Sequence, residues 1–70
     1  MLEKRSFSLS GHRTSVALEP EFWAVLMEMA QRDGGNLSAL VTRIDSQRNG
    51  NQPLASALRV YALLGTRPQA

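Results

Sequence analysis

The chain has no cysteine and a single histidine among its 70 residues, and these shortages exclude several kinds of site. Without cysteine there is no disulfide, no thiol nucleophile and no cysteine-based metal centre. His12 alone cannot complete a tetrahedral metal site, and the sequence offers neither a carboxylate pair beside a segment that could form a pocket nor a histidine-activated serine. We therefore expect no metal, no cofactor and no enzymatic activity. The lack of cysteine is also compatible with a reducing cytoplasm.

Long apolar runs are missing as well. No stretch approaches the roughly 20 residues that a membrane-spanning helix needs. The basic residues near the start are not followed by the apolar segment of a secretory signal, so we expect no membrane contact. Seventy residues suffice for one domain. A core of that size contributes only a few kcal/mol to the stability of the folded state, and small domains are often stabilised further by self-association.

The net charge of +2 is distributed unevenly. Residues 1–18 carry +2, residues 19–35 carry −3 and residues 36–70 carry +3. Segregation of this kind suits a polyanionic partner. An ordinary solvated surface is the alternative interpretation.

One polar-apolar alternation runs directly into a helix start. In residues 13–18 the even positions are apolar or β-branched, which predicts a strand with one buried and one exposed face. Such a strand needs a partner, and we expect the same strand of a second copy. Upstream, Phe7 and Leu9 alternate with serines until Gly11 interrupts the pattern. Residues 1–12 are therefore either an extra strand, with a bulge or tight bend at Gly11, or a mobile arm.

Three amphipathic helices are predicted after this strand. The first begins at Glu19-Pro20 and ends at Gly34-Gly35. The second starts after Asn36, and the third runs from near Pro53 to a close at Gly65 and Pro68. Each helix has four apolar residues at the spacing of one helical face, and Trp23 flanks the first set. The sets are Phe22, Val25, Leu26 and Met29; Leu37, Leu40, Val41 and Ile44; Leu54, Ala57, Leu58 and Tyr61.

Two features favour nucleic-acid binding. Arg13 and Ser15 lie on the same strand face, and a two-stranded ribbon fits the major groove, where arginine pairs with guanine and serine bonds several base edges. The first N–H groups of the second helix, at Asn36–Ser38, are free to bind phosphate. Simpler interpretations stay open: Arg13 as a charge that discourages edge aggregation, and Asn36 as an ordinary cap.

The sequence resembles ribbon-helix-helix DNA-binding proteins over residues 13–45, from RTSVALEPEFWAVL through DGG to NLSALVTRID. It is also similar to a small bacterial subgroup with GHRTSVALEPEFW, a glycine turn and SALR before a third helix, here residues 11–23, 34–35 and 56–59. The resemblance implies a mainly α fold with one N-terminal strand and a third C-terminal helix. Two chains would intertwine as a homodimer, pair their strands antiparallel and insert this ribbon into the major groove of double-stranded DNA.

The resemblance also implies roles for individual residues. By position, Arg13, Ser15 and Ala17 face the bases; Thr14, Val16 and Leu18 face the core; Asn36, Leu37 and Ser38 clamp phosphate; Lys4, Arg5 and His12 add auxiliary contacts. Ala17 departs from the family pattern of polar side chains, because its methyl group offers only apolar contact, for example with a thymine methyl.

We therefore expect an N-terminal arm or extra strand over residues 1–12, a ribbon-helix-helix domain with a third helix over 13–65, and a tail over 66–70. The expected function is sequence-specific DNA binding by a homodimeric transcriptional regulator in the cytoplasm, associated with the nucleoid. Two alternatives stay open: an antitoxin that represses its own operon, and an interaction or dimerisation module without DNA binding. A steep salt dependence of binding would separate DNA binding from the latter.

Overall fold

The computed structural model describes residues 1–66 as two strands followed by three helices. In chain order these are β1 Glu3–Leu9, β2 His12–Leu18, α1 Pro20–Arg32, α2 Leu37–Gln47 and α3 Leu54–Thr66. The predicted strand before the helices and the three helices themselves are confirmed. Pro68 and the rest of the predicted tail beyond Thr66 lie outside the described residues. Among the helices described, none has the length and apolar character needed to cross a membrane.

The two strands form a hairpin within one chain. They pair antiparallel from Glu3 opposite Leu18 to Leu9 opposite His12, around a two-residue turn. Partners across such a turn have opposite parity, so the odd apolar positions of β1 and the even ones of β2 share a face. Residues 1–12 thus contain an extra strand with a tight bend. The expectation of one N-terminal strand is therefore wrong, and along this edge β2 pairs with β1 of the same chain rather than with a second copy.

The turn residues have the backbone geometry of a type I′ hairpin. Ser10 has φ 52° and Gly11 has φ 82°, and this turn requires positive φ at both central positions. Glycine adopts that conformation freely, whereas serine does so at a steric cost.

We expect Ser10→Asn to raise the free energy of unfolding by about 0.5–1 kcal/mol, because Asn-Gly is the preferred pair in this turn. Urea denaturation followed by circular dichroism measures the change. Ser10→Ala is the control, since alanine lacks the tolerance of asparagine for positive φ and should give no gain. Equal stability of the two variants would contradict the turn assignment.

One contiguous core joins the hairpin to all three helices. The buried side chains are Phe7, Leu9, Val16, Leu18, Trp23, Leu26, Ala30, Leu40, Val41, Ile44, Ala57, Leu58 and Ala62. The buried face of α1 is therefore rotated from the predicted one: Trp23 is inside, while Phe22, Val25 and Met29 are only partly buried.

The rotation of α1 follows from the hairpin. The Trp23 ring packs at 5.8 Å from that of Phe7, and its Nε1–H donates to the Glu3 carbonyl at 2.8 Å. Burial of a tryptophan is favourable when its ring packs against another ring and its N–H donates to a carbonyl oxygen. Trp23 thereby fastens β1 to α1.

α3 is held against the start of α1 by a charged contact. Arg59 donates from Nε to Oε1 of Glu19 at 3.1 Å, its Nη2 lies 3.0 Å from the same oxygen as an ion pair, and its guanidinium lies 5.8 Å from the Phe22 ring. Hydrogen bonds from its own backbone N–H and then from Arg59 hold the pKa of Glu19 below its ordinary value. This contact connects the LEP and SALR segments noted in the sequence.

Gly65 does not end α3, which continues to Thr66. A Cβ atom at this position would lie 2.9 Å from Sδ of Met29, so any larger residue would have to displace the Met29 side chain. The flexible end of the Met29 side chain thus occupies the space beside Gly65, between α3 and α1.

Candidate nucleic-acid interface

The hairpin presents one face to the helices and the other to solvent. Because side chains alternate along paired strands, the solvent face consists of even residues of β1 and odd residues of β2. We call this set the outer face: Lys4, Ser6, Ser8, Arg13, Ser15 and Ala17. Five of these side chains are exposed and Ala17 is partly buried. The outer face carries two positive charges and no carboxylate.

The outer face is arranged in three cross-strand pairs. Lys4 lies opposite Ala17, Ser6 opposite Ser15, and Ser8 opposite Arg13. The two central hydroxyls are 3.2 Å apart. Neither Lys4 nor Arg13 forms an ion pair or side-chain hydrogen bond with any of residues 1–66. Their donors are therefore available to an external acceptor.

The structure brings the predicted base-facing residues Arg13, Ser15 and Ala17 together on this face. The predicted core-facing positions agree too, since Val16 and Leu18 are buried and Thr14 is half-buried on the opposite side. Ser6 and Ser8 were not predicted as site residues. The sequence does carry a signal for these two serines, because both alternate with Phe7 and Leu9 and so lie on one face of β1. This signal points to the outer face only when β1 is known to pair with β2.

Two of the predicted auxiliary residues lie elsewhere. Arg5 is on the helix side of the hairpin, where it pairs with Glu3 at 3.0 Å and lies 5.5 Å from the Trp23 ring. His12 is exposed at the turn and lines a cleft with Asp45 and Arg48 at the end of α2. Of the three auxiliary residues, Lys4 alone shares the outer face.

β2 keeps one open edge. Leu9 and His12 close the two-residue turn, so backbone hydrogen bonds to β1 come from the even residues of β2. The N–H and C=O groups of Arg13, Ser15 and Ala17 point the other way, and none has a backbone partner outside the ladder within residues 1–66. This edge can accept another strand.

The start of α2 is built by a glycine turn. Gly34, at φ 80°, donates to the Gln31 carbonyl at 3.0 Å and Gly35 donates to that of Ala30 at 3.1 Å, which is a Schellman ending for α1. Asn36 then caps α2, as predicted, by accepting from the Ala39 N–H at 2.8 Å.

The cap leaves two donors open. The N–H groups of Leu37 and Ser38 have no acceptor among residues 1–66, as at the first turn of most helices. Nearby, Arg43 pairs with Asp33 at 2.9 Å, and hydrogen bonds to Asp33 and then Tyr61 raise the pKa of Arg43. The Asp33 carboxylate beside the start of α2 is thus paired with a cation.

A pair of N-terminal strands followed by helices fits the ribbon-helix-helix architecture. A family model described as ribbon-helix-helix domain matches residues 2–65, and the chain belongs to this family. Proteins with this domain generally bind DNA as transcription regulators or antitoxins.

One solved structure is similar, that of an uncharacterized protein from Bordetella pertussis Tohama I. It shares 38% sequence identity with this chain at a TM-score of 0.75, and the match covers 90% of this chain and 54% of that one. The chain thus spans about half the length of this relative. The comparison with curated proteins found no match.

Proposed function

We propose that this protein is a sequence-specific transcriptional regulator that binds double-stranded DNA as a homodimer, in the cytoplasm and on the nucleoid. The observation that carries the proposal is the outer face. It offers the donors of Lys4 and Arg13, which have no partner among residues 1–66, beside three serine hydroxyls, and the outer face itself carries no carboxylate to repel phosphate. Arg13 and Ser15 would read base edges in the major groove, and Ala17 would contact a thymine methyl.

The open edge of β2 supports the homodimer. If two copies of β2 pair antiparallel about Ser15, then Arg13 of each chain lies beside Ala17 of the other. The free backbone groups at these positions would form about six hydrogen bonds. This register also keeps Val16 on the helix side in both chains. The product is a four-stranded sheet in the order β1–β2–β2′–β1′, rather than the two-stranded intermolecular ribbon that the sequence suggested.

The start of α2 would hold the DNA backbone. The free N–H groups of Leu37 and Ser38, next to the cap of Asn36, suit one phosphate oxygen. Contacts of this kind set the register of the protein on the duplex and carry no sequence information.

The twofold arrangement predicts the form of the target sequence. Arg13 and its symmetry mate are displaced by four residues along the strands, about 13 Å. At 3.4 Å of axial rise per base pair this corresponds to at most about four base pairs, because strands that follow the major groove are inclined to the helix axis. We therefore expect a palindromic target whose two guanine contacts lie no more than about four base pairs apart.

Selection from random duplexes, with native mass spectrometry of the selected complex, tests the proposal. We expect a twofold-symmetric motif, two chains per duplex and an affinity that falls steeply with salt. No enrichment, or a flat salt response at low ionic strength, would instead indicate an interaction module without a DNA role.

An antitoxin role is a second candidate, favoured by apolar side chains on α3. Val60, Leu63 and Leu64 are 46%, 60% and 57% exposed, and such a surface is typical of protein-partner sites. A pull-down from native cells tests this role. Co-purification that is lost in Leu63→Ser, with DNA binding retained, would support it.

A further inference from the structure

We propose that β1 contacts the DNA backbone while β2 reads the bases, so that Lys4, Ser6 and Ser8 bind phosphates on the two sides of the major groove. This assignment rests on the proposed DNA binding and on the β2–β2′ pairing. It concerns a strand whose serines were not among the site residues predicted from the sequence.

The width of the sheet separates the two roles. Neighbouring strands lie about 4.8 Å apart, so the two β2 strands together are narrow enough for the major groove, which is about 12 Å wide. The two β1 strands lie three spacings apart, about 14 Å. They therefore exceed the groove and come to its edges, where the phosphates are.

The side chains on each strand suit these positions. Lys4 on β1 is a flexible point charge that neutralises a phosphate from many directions, whereas Arg13 on β2 is a planar fork that matches the guanine edge. The Lys4 ammonium has no partner among residues 1–66, and its cross-strand neighbour Ala17 is too small to block it. The hydroxyls of Ser6 and Ser8 can donate hydrogen bonds to phosphate oxygens.

The outer face has a symmetric layout in the proposed sheet. One row across the four strands reads Lys4, Ala17, Arg13 of the second copy and Ser8 of the second copy. The middle row consists of four serines, two each of Ser6 and Ser15. The third row repeats the first in reverse. Each groove edge thus meets one lysine and two serines from a single β1 strand, while both arginines stay over the groove.

The test is Lys4→Ala, with Lys4→Arg as the charge-retaining control. Affinity is measured over a salt series on the selected duplex and on a scrambled one, and the duplex selection is repeated with the variant. With two lysines lost per dimer, we expect the slope of log affinity against log salt to become shallower by about 2. Affinity should fall by the same factor, roughly tenfold or more, on both duplexes. The selected sequence should not change, and Lys4→Arg should keep the parental slope.

Two results would overturn the inference while leaving DNA binding in place. One is a changed sequence preference in Lys4→Ala, which would mean that β1 reads bases. The other is an unchanged salt slope, which would mean that Lys4 touches no phosphate. If the parent protein itself is not retained on DNA at low salt, the proposed function fails and this assignment with it. Lys4 is exposed and unpaired within residues 1–66, so we expect the variant to melt like the parent protein.

Discussion

Replacing Arg13 by alanine is expected to abolish the preference of the protein for its target over random DNA. Arg13 is the single guanidinium on the outer face, and it has no partner among residues 1–66. Loss of one bidentate contact with guanine costs roughly 1–3 kcal/mol of discrimination. A dimer loses two, so the affinity ratio should drop by about 30-fold or more. Competition titrations with target and scrambled duplexes measure this ratio.

Two control variants show whether the lost preference depends on the shape and position of the Arg13 guanidinium or only on its charge. Arg13→Lys keeps the charge but not the fork, so it should retain binding to random DNA while losing most of the preference. Arg5→Ala removes the same charge from the helix side of the hairpin, where Arg5 is bonded to Glu3. It should leave the preference intact. A parental ratio in Arg13→Ala would show that Arg13 does not read bases.

Replacing Trp23 by alanine is expected to have the largest effect on folding. Its side chain is 1% exposed, contacts the Phe7 ring and donates to the Glu3 carbonyl. Truncation of a buried tryptophan costs roughly 3–5 kcal/mol. That loss is comparable with the whole stability of a domain of this size, roughly 4–10 kcal/mol. Urea denaturation should therefore show an unfolding midpoint far below that of the parent protein.

Trp23→Phe is the matched variant, because it keeps a ring against Phe7 and removes the N–H donor. We expect a smaller loss, about 1–2 kcal/mol, and retained DNA binding. Met27→Ala, at an exposed position of the same helix, should change stability little. Parental stability of Trp23→Ala would contradict its role as the link between β1 and α1.

Much of the local structure could be predicted from short-range patterns. The start of α1 at Pro20 and the Asn36 cap at the start of α2 depend on residues within one helical turn, and such preferences act in any tertiary context. The alternation in β2 likewise decided which side chains share a face. For that reason Arg13 and Ser15 were placed correctly beside each other and opposite Val16.

The sequence by itself determined the order of β2 and the three helices, the Asn36 cap and the face to which each residue of β2 belongs. The tertiary structure alone decided that β1 pairs with β2, and thereby that Ser6, Ser8 and Lys4 join the outer face while Arg5 turns to Trp23. It also decided the rotation of α1. The physical reason is that periodicity reports which side chains avoid water, whereas the surface that covers them is supplied by residues distant along the chain.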